Sequence, residues 1–444
     1  MSAGAERARV EAALDARVPT LIVPGLDRIR DLLDVLGSPQ LAYPAIHIAG
    51  TNGKTSTARM VDALLRAFGL RTGRTTSPHL AAVTERIAID GMELDEALFA
   101  ALYDEVAPYM ALVDARHTEP VTYYEAVIAM AFAAFADRPV DAAVVEVGLG
   151  GRWDATNVLD AGVSVITPIG LDHENYLGDT IAGIAAEKVA IVADRSVLVS
   201  AVQPPEAADV VFARAAEAGA QLLREGIDFG IAGRRVAVGG QHLTLRGLAG
   251  DYEDIVLPLF GVHQAGNAAC ALAAVESQLG GGVPGRPGLD PELVQAAFAA
   301  VTAPGRLEVL RTSPTILVDA AHNPAGAEVT AAALRESFAF TRLAGVVAVL
   351  RDKDAAGILR ALEPVLAEVV LTTNASLRAM APDDLAAIAV EVFGSDRVLV
   401  EPRLPDAIDA AVEIAEAEGL GGAGVLITGS IVTVAEARTL LRRA

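Results

Sequence analysis

The chain has 444 residues, room for two large domains or three of roughly 150 residues each. Hydrophobic residues make up 52% of it but aromatics only 4%, so the interior must be built from Ala, Val, Leu and Ile, and extended disorder is excluded. The formal net charge of -22 excludes a general nucleic-acid-binding surface, so any anionic ligand must be caught locally. One segment reverses the sign: between 51 and 90, Lys54, Arg59, Arg66, Arg71, Arg74 and Arg86 outnumber Asp62, Glu85 and Asp90. The single cysteine, Cys270, allows no internal disulfide and predicts a reducing compartment, the cytosol.

From the N-terminus, Met1 to Asp15 mixes Glu, Arg and Ala without an apolar run, so no secretory signal is expected. From Ala45 onward, β-branched runs alternate with Ala-rich stretches, the pattern of a parallel sheet covered on both faces. Strands are predicted over Ala45 to Ala49, Ala142 to Val147, Val163 to Pro168 and Val197 to Ala201. Helices are predicted over Ser56 to Phe68, stopped by Gly69, and over Thr122 to Ala136. From Gly230 to Leu259 the period becomes two, with Arg235 to Val238 and His242 to Leu245 flanking Gly239-Gly240, which predicts a small antiparallel appendage.

Helices are expected over Gln264 to Gln278 and Pro291 to Val301, with a Gly/Pro-rich loop between them at Gly280 to Gly288. Ile255 to Val275 is uncharged over a membrane-spanning length, but Pro258, His263, Gln264 and Asn267 interrupt it, and no membrane association is expected. After Pro304-Gly305 a second α/β domain starts, with strands over Ile316 to Asp319, Val346 to Leu350, Val369 to Thr373, Val398 to Val400 and Val425 to Thr428. The expected fold is α/β, in two domains. Residues 1–303 form a P-loop NTPase-like parallel-sheet domain with its antiparallel appendage. Residues 304–444 form a Rossmann-like domain.

The sharpest local signal is Ile46 to Ser56, a strand, the loop Gly50-Thr51-Asn52-Gly53, Lys54, then Thr55 and Ser56 opening a helix. Glycines let backbone N–H groups approach phosphate oxygens, the helix N-terminus adds positive partial charge, Lys54 supplies a mobile cation, and Thr55 or Ser56 supplies a hydroxyl for Mg²⁺. The common G-x-x-x-x-G-K-[ST] spacing would place glycine where Ile48 stands, so the match is to a shorter variant.

Other polar groups fall at predicted strand ends, where an open sheet binds its ligands. Glu146 ends a very apolar strand, which points to metal or water work, with an ion pair to Arg152 as the alternative. Asp172 and His173 suit a metal shell, or a loop and its cap. Lys188 reads, from physics alone, as a solvated helical lysine. Asp319, with His322 and Asn323 beyond it, stands where a carboxylate commonly binds ribose. Arg306 sits at the predicted hinge, placed for a phosphate or for an interdomain salt bridge.

Five motifs occur in order: Gly50-Thr51-Asn52-Gly53-Lys54, Thr76-Ser77-Pro78-His79-Leu80, Glu146 to Arg152, Asp172-His173, and Asp319-Ala320-Ala321-His322-Asn323-Pro324. With them the chain resembles the folylpolyglutamate synthase/dihydrofolate synthase family of the Mur ligase superfamily, from about residue 43 to Ser430. The resemblance implies an ATP-dependent amide ligase that phosphorylates a folate or dihydropteroate carboxylate and joins it to L-glutamate, with ATP held in a cleft between the two domains. It implies ATP and Mg²⁺ as cofactors, with a monovalent cation such as K⁺ as an additional candidate, and a monomer working on small molecules in the cytoplasm.

The resemblance also implies roles. Gly50 to Ser56 and Arg306 bind phosphate, and Ser56, Ser77, Glu146 and His173 hold metal. Lys188 matches a family lysine that is often carbamylated. Asn267, Asp319 and His322 surround adenosine. Arg86 and Asp172 lie toward the substrate, as does Tyr124 or its neighbour Tyr123 where core packing does not claim them. Thr55 departs from the family's usual glycine, which leaves the first Mg²⁺ hydroxyl open between Thr55 and Ser56. Val189-Ala190 and Leu350-Arg351 depart too, without touching the class. The rival readings are a cell-wall amino-acid ligase, disfavoured by the Ser77-Pro78-His79 loop and by there being only roughly 40 residues before the strand that leads to the phosphate loop, too few for an extra α/β domain, and an ATP-binding switch or motor that never consumes glutamate.

Overall fold

Strand β1 (Ala45–Ala49) is buried along its whole length, and so is β5 (Ala142–Glu146), which requires neighbours on both faces and both sides. The computed structural model describes residues 3–19, 23–280, 287–417 and 422–443, and it supplies those neighbours. With β2 (Thr72–Thr75), β3 (Ile87–Ile89), β4 (Met92–Glu93), β6 (Val163–Ile166), β7 (Val197–Ser200) and β8 (Gln221–Arg224), they form an eight-stranded sheet ordered β4-β3-β2-β5-β1-β6-β7-β8. From β2 to β8 every pairing is parallel, while β3 and β4 turn back antiparallel at one edge. Because β5 slots between β2 and β1, the loops after β1, β5 and β6 open side by side at the carboxyl edge, where such sheets bind ligands.

One face of this sheet is covered by helices Asp27–Val35, Glu96–Asp114 and Tyr123–Asp137, packing Leu32, Phe99, Met130 and Phe132 against Ala143 and Val145. Helices Ile181–Lys188 and Pro205–Ala218 cover the other through Ile184, Val211 and Ala215. Thr122 caps the helix Tyr123–Asp137 in a capping box with Glu125, the arrangement that fixes a helix start.

Strands β9 (Gly230–Ala237), β10 (Gly240–Arg246) and β11 (Asp251–Leu257) make the small antiparallel appendage, ordered β11-β10-β9. Gly239 takes the positive φ of 79° that the β9–β10 turn requires. The third sheet comprises β12 (Glu308–Thr312), β13 (Thr315–Val318), β14 (Arg342–Val347), β15 (Glu368–Leu371), β16 (Val398–Val400) and β17 (Ala423–Thr428), in the order β12-β13-β17-β14-β15-β16. Its core is Leu317, Val347, Leu359, Leu371 and Leu426. The chain divides into two compact units: Met1–Arg234 with Leu243–Leu257 and Ala265–Val301, and Arg235–His242 with Pro258–Gln264 and Thr302–Ala444.

The expected α/β architecture is present. Individual elements differ from the sequence reading. The strand expected over Val163 to Pro168 ends at Ile166, and the one expected over Val346 to Leu350 runs from Arg342 to Val347. Ile316 to Asp319 does not open its sheet, because β12 precedes it as an antiparallel edge strand. Of the loop expected at 280–288, residues 281–286 lie outside the described residues. Among those described, no helix is long and apolar enough to cross a membrane.

Candidate active site

The loop after β1 turns on Gly50 (φ 145°) and Gly53 (φ 92°). A Cβ on Gly50 would overlap the side chain of Thr167, and one on Gly53 would lie 2.5 Å from Asn267 Oδ1, so both close approach and φ demand glycine. The loop is tied to the end of β6. The N–H groups of Thr51 and Asn52 donate to Pro168 O at 3.0 and 3.3 Å, and the Thr51 hydroxyl donates to Gly170 O while accepting from Gly170 N, each at 3.0 Å. Lys54 opens the helix Lys54–Ala67 and folds back so that Nζ donates to Gly50 O and Thr51 O, both at 3.0 Å. A cation thus lies over a glycine-cornered loop at a helix N-terminus, a preformed anion seat.

At the end of β5, Glu146 is 2% exposed. Its carboxylate accepts from the Thr55 hydroxyl at 2.8 and 3.0 Å and from Ser77 N at 3.3 Å. Arg152 is engaged elsewhere, with Nε 2.9 Å from Glu187 Oε1, so the Glu146–Arg152 ion pair that the sequence left open is not formed. Of the two candidate hydroxyls, the one set against Glu146 belongs to Thr55; Ser56 is buried behind it. Thr55, Glu146 and Ser77 present hard oxygen donors. Among the described residues no cluster of three or more His, Cys, Asp or Glu side chains stands ready to hold a metal. Such a sparse oxygen set fits Mg²⁺, which keeps waters and takes substrate phosphates as ligands.

Beyond β6, His173 adopts φ 54°, its N–H donates to Asp172 Oδ1 at 2.8 Å, and Nε2 stands 3.9 Å from Asp172 Oδ2. Lys188 is not a solvated lysine: it is 5% exposed, and its pKa is lowered to about 7 by burial and then by Lys54, against the pull of Asp172 and Asp154. Gly151 accounts for its placement. A Cβ there would meet Glu187 O at 2.5 Å and Lys188 Cα at 3.0 Å, so only glycine lets the loop after β5 press onto the last turn of the lysine helix.

Asp154 is a site residue the sequence reading missed. It accepts from Gly148 N at 3.0 Å, Leu149 N at 2.9 Å, Thr156 N at 3.0 Å and Thr156 Oγ1 at 2.6 Å, and from the Tyr124 hydroxyl at 3.3 Å. Burial raises its pKa. The available signal was an Asp and a Thr two residues apart closing a glycine-rich loop, the pattern of a side chain folding its own backbone. Thr156 in turn contacts His47 Nε2 at 2.8 Å, and His47, pushed down to about 3 by burial, is a neutral imidazole in the middle of β1.

Tyr124 packs its ring against Gly148, and burial followed by Asp154 raises its pKa well above the usual. Arg86 stands 5.1 Å over the ring of Tyr123 and donates through Nε to His79 Nδ1 at 2.9 Å. Glu85 holds this loop by accepting from the N–H groups of Leu80, Ala81 and Ala82.

In the second unit, Asp319 accepts from Leu307 N, Ala321 N and Thr330 Oγ1, each at 2.9 Å. His322 Nδ1 is 2.9 Å from Ala320 O. Arg306, on the turn before β12, is half-buried.

A phosphate-type loop on a parallel sheet, a buried carboxylate facing the loop's hydroxyl, and a second α/β unit define a Mur-type ligase. The Mur ligase middle domain matches residues 48–275, and the Mur ligase glutamate ligase domain matches residues 305–431. The dihydrofolate synthase/folylpolyglutamate synthase of Mycobacterium tuberculosis is 51% identical over 458 residues, covering 98% of this chain and 94% of that protein. The structure of Mycobacterium tuberculosis folylpolyglutamate synthase complexed with ADP superposes with a TM-score of 0.96 at 52% identity over 100% of both chains. Escherichia coli FolC in complex with DHPP and ADP superposes at 0.86 with 29% identity, again over 100% of both. The chain belongs to the dihydrofolate synthase/folylpolyglutamate synthase family, whose members are ATP-dependent ligases of glutamate.

Proposed function

We propose that this enzyme uses ATP to phosphorylate the free carboxylate of a folate or of dihydropteroate and then joins that carbon to the amine of L-glutamate. The γ-phosphoryl group passes to a carboxylate oxygen, giving an acyl phosphate and ADP. The amine attacks the carbonyl carbon, the C–O bond to phosphate breaks, and the amine's proton is lost as the amide forms. A carboxylate is a poor acyl donor until its oxygen becomes a good leaving group, so the protein's task is to place and neutralise phosphate.

The observation that carries this reading is the pairing of the Gly50-to-Lys54 loop with Thr55 and Glu146. Lys54 turns from its loop carbonyls to the phosphates, and Arg306 adds a second cation. Mg²⁺ would be held by Thr55 and Glu146, with Ser56, Ser77 and His173 as the other donors considered, and when bound it neutralises phosphate charge. Asn267 and His322 are assigned to adenosine. Asp319, with three donors already on its carboxylate, is assigned to hold the turn before β12. Arg86, Tyr124 and Asp172 face the acceptor. Lys188, with a pKa near neutrality, has the free amine that reacts with CO₂ to a carbamate, converting a buried cation into an anion. The relatives solved with ADP, and with DHPP and ADP, support both substrate classes, and the lone cysteine supports a cytoplasmic enzyme. We take it to act as a monomer on small-molecule substrates.

The test is mass-spectrometric identification of the product from ATP, Mg²⁺, glutamate and each acceptor in turn. A glutamyl amide of dihydropteroate or of a folate is expected. Product only from a nucleotide-sugar peptide, or ADP release that consumes no glutamate, would overturn the reading.

A further inference from the structure

The turn Gly305-Arg306-Leu307 is held by hydrogen bonds at all three of its backbone N–H groups and at the Gly305 carbonyl. Gly305 N donates to Glu308 Oε2 at 2.8 Å, and Gly305 O accepts from Ala320 N at 2.9 Å. Arg306 N donates to Ala303 O at 3.1 Å, and Leu307 N to Asp319 Oδ2 at 2.9 Å. Leu307 takes φ 43°, a left-handed conformation unfavourable to a branched side chain, and its side chain is locked in the core of the second unit. At the centre of this clamp the Arg306 side chain alone has no described partner. A strained turn pinned on both sides around one unpaired, half-buried guanidinium is a device for aiming it.

Glu308 has a second set of contacts. Its Oε2 lies 2.8 Å from Arg438 Nε, and its Oε1 accepts from Arg438 Nη2 at 3.2 Å and Arg442 Nη2 at 3.1 Å. Arg438 is 8% exposed, so the pair is not a surface ornament. Two guanidiniums of the terminal helix Ile431–Arg443 therefore hold the carboxylate that holds Gly305 N. We propose that Glu308, tied to Arg438 and Arg442, is a positioning residue for Arg306, and that the last helix of the chain thereby sets the affinity for the nucleotide's phosphates. The proposal rests on the phosphate-binding reading of Arg306.

The test is calorimetric titration of the full chain with ADP, combined with ATP and glutamate KM values, for Arg306→Ala, Glu308→Ala and the double variant. Arg306→Ala weakens ADP by about tenfold or more, the loss of a charge-assisted contact. Glu308→Ala weakens it by roughly three- to tenfold and raises the KM of ATP while leaving that of glutamate unchanged. Because Glu308 acts through Arg306, the double variant binds no more weakly than Arg306→Ala, within about twofold. Arg438→Gln, which leaves the Gly305–Glu308 bond in place, gives a smaller loss of the same kind and serves if Glu308→Ala does not fold. Unchanged ADP affinity in Glu308→Ala or Arg438→Gln beside a weakened Arg306→Ala, or a double variant whose losses multiply, overturns this proposal alone. Unchanged affinity in Arg306→Ala removes the phosphate-binding reading and the proposal with it.

Discussion

In the loop after β1, the two backbone positions with left-handed φ are Gly50 and Gly53, and both face side chains that leave no room for a Cβ. In the turn before β12 the left-handed position is Leu307, and there is no compensating freedom, only carboxylates on either side and a core that grips the leucine. The first loop obtains its shape from residue type, the second from its surroundings. The difference matters for variation: a glycine-shaped loop fails when a glycine is replaced, whereas a clamped turn fails when a remote anchor is removed.

The largest effect that separates the two regions is expected at the loop's cation. Lys54→Ala lowers kcat/KM for ATP by at least about a hundredfold, since catalysis here is mostly electrostatic stabilisation of the transferring phosphoryl group. The Lys54 ammonium donates to two carbonyls of its own loop, Gly50 O and Thr51 O, bonds local enough that thermal unfolding stays near that of the parent. Glutamate-dependent ADP release at the parental rate would show that the loop after β1 is not the phosphate seat.

These same contrasts explain what could be seen in the sequence. Gly50 to Ser56, Glu146 to Arg152 and Asp172-His173 are contiguous because each is a single loop at a strand end, and strands β1, β5, β6 and β7 are apolar runs. Strand β2 escaped notice because Thr72-Gly73-Arg74-Thr75 has no apolar run at all. Gly73 lies under the Phe135 ring, and Arg74, 4% exposed, is paired with Asp62 at 2.9 Å, a contact fixed only by folding. Edge strand β12 is half-exposed and polar. The clamp on Arg306 joins Glu308 to Arg438 across more than a hundred residues, and no local pattern announces that. Lys188 showed the limit in the opposite direction: its position on a helix suggested solvent, and only the press of Gly151 against its backbone buries it.

A middle-sized effect tests whether glycine shape and clamping are truly different solutions. Gly151→Ala places its Cβ against the Glu187 and Lys188 backbone, which cannot move aside as a side-chain tip would, and costs roughly 1–3 kcal/mol of stability as overpacking. Leu307→Gly relieves a strain of about 1–2 kcal/mol but empties a core position, a loss of about 2–5 kcal/mol for a buried leucine. The cavity wins, so this variant too is destabilised in chemical denaturation. A stabilised Leu307→Gly would mean that the leucine side chain contributes little and that strain alone shapes the turn.

The smallest effect is a slope rather than a loss. With the folded pKa of Lys188 near 7 and its ordinary value 10.5, the unfolded chain carries a proton over that range that the folded chain has shed. Stability therefore rises with pH between about 7 and 10.5, by up to about 1.4 kcal/mol per pH unit, and below 7 the contribution levels off because both states are protonated. Lys188→Met has no such group, so subtracting its denaturation midpoints from those of the parent, in CO₂-free buffer, isolates the slope. If the two proteins run parallel across that range, Lys188 keeps its proton when folded and the free amine required for carbamate formation is not available near neutrality. If the slope is present, labelled bicarbonate adds the complementary observation: a carbamate carbon resonance that grows as pH rises through 7 and is missing from Lys188→Met. The burial imposed by Gly151 would then be the cause of the lysine's chemistry, since it is burial first, and Lys54 second, that strips the proton.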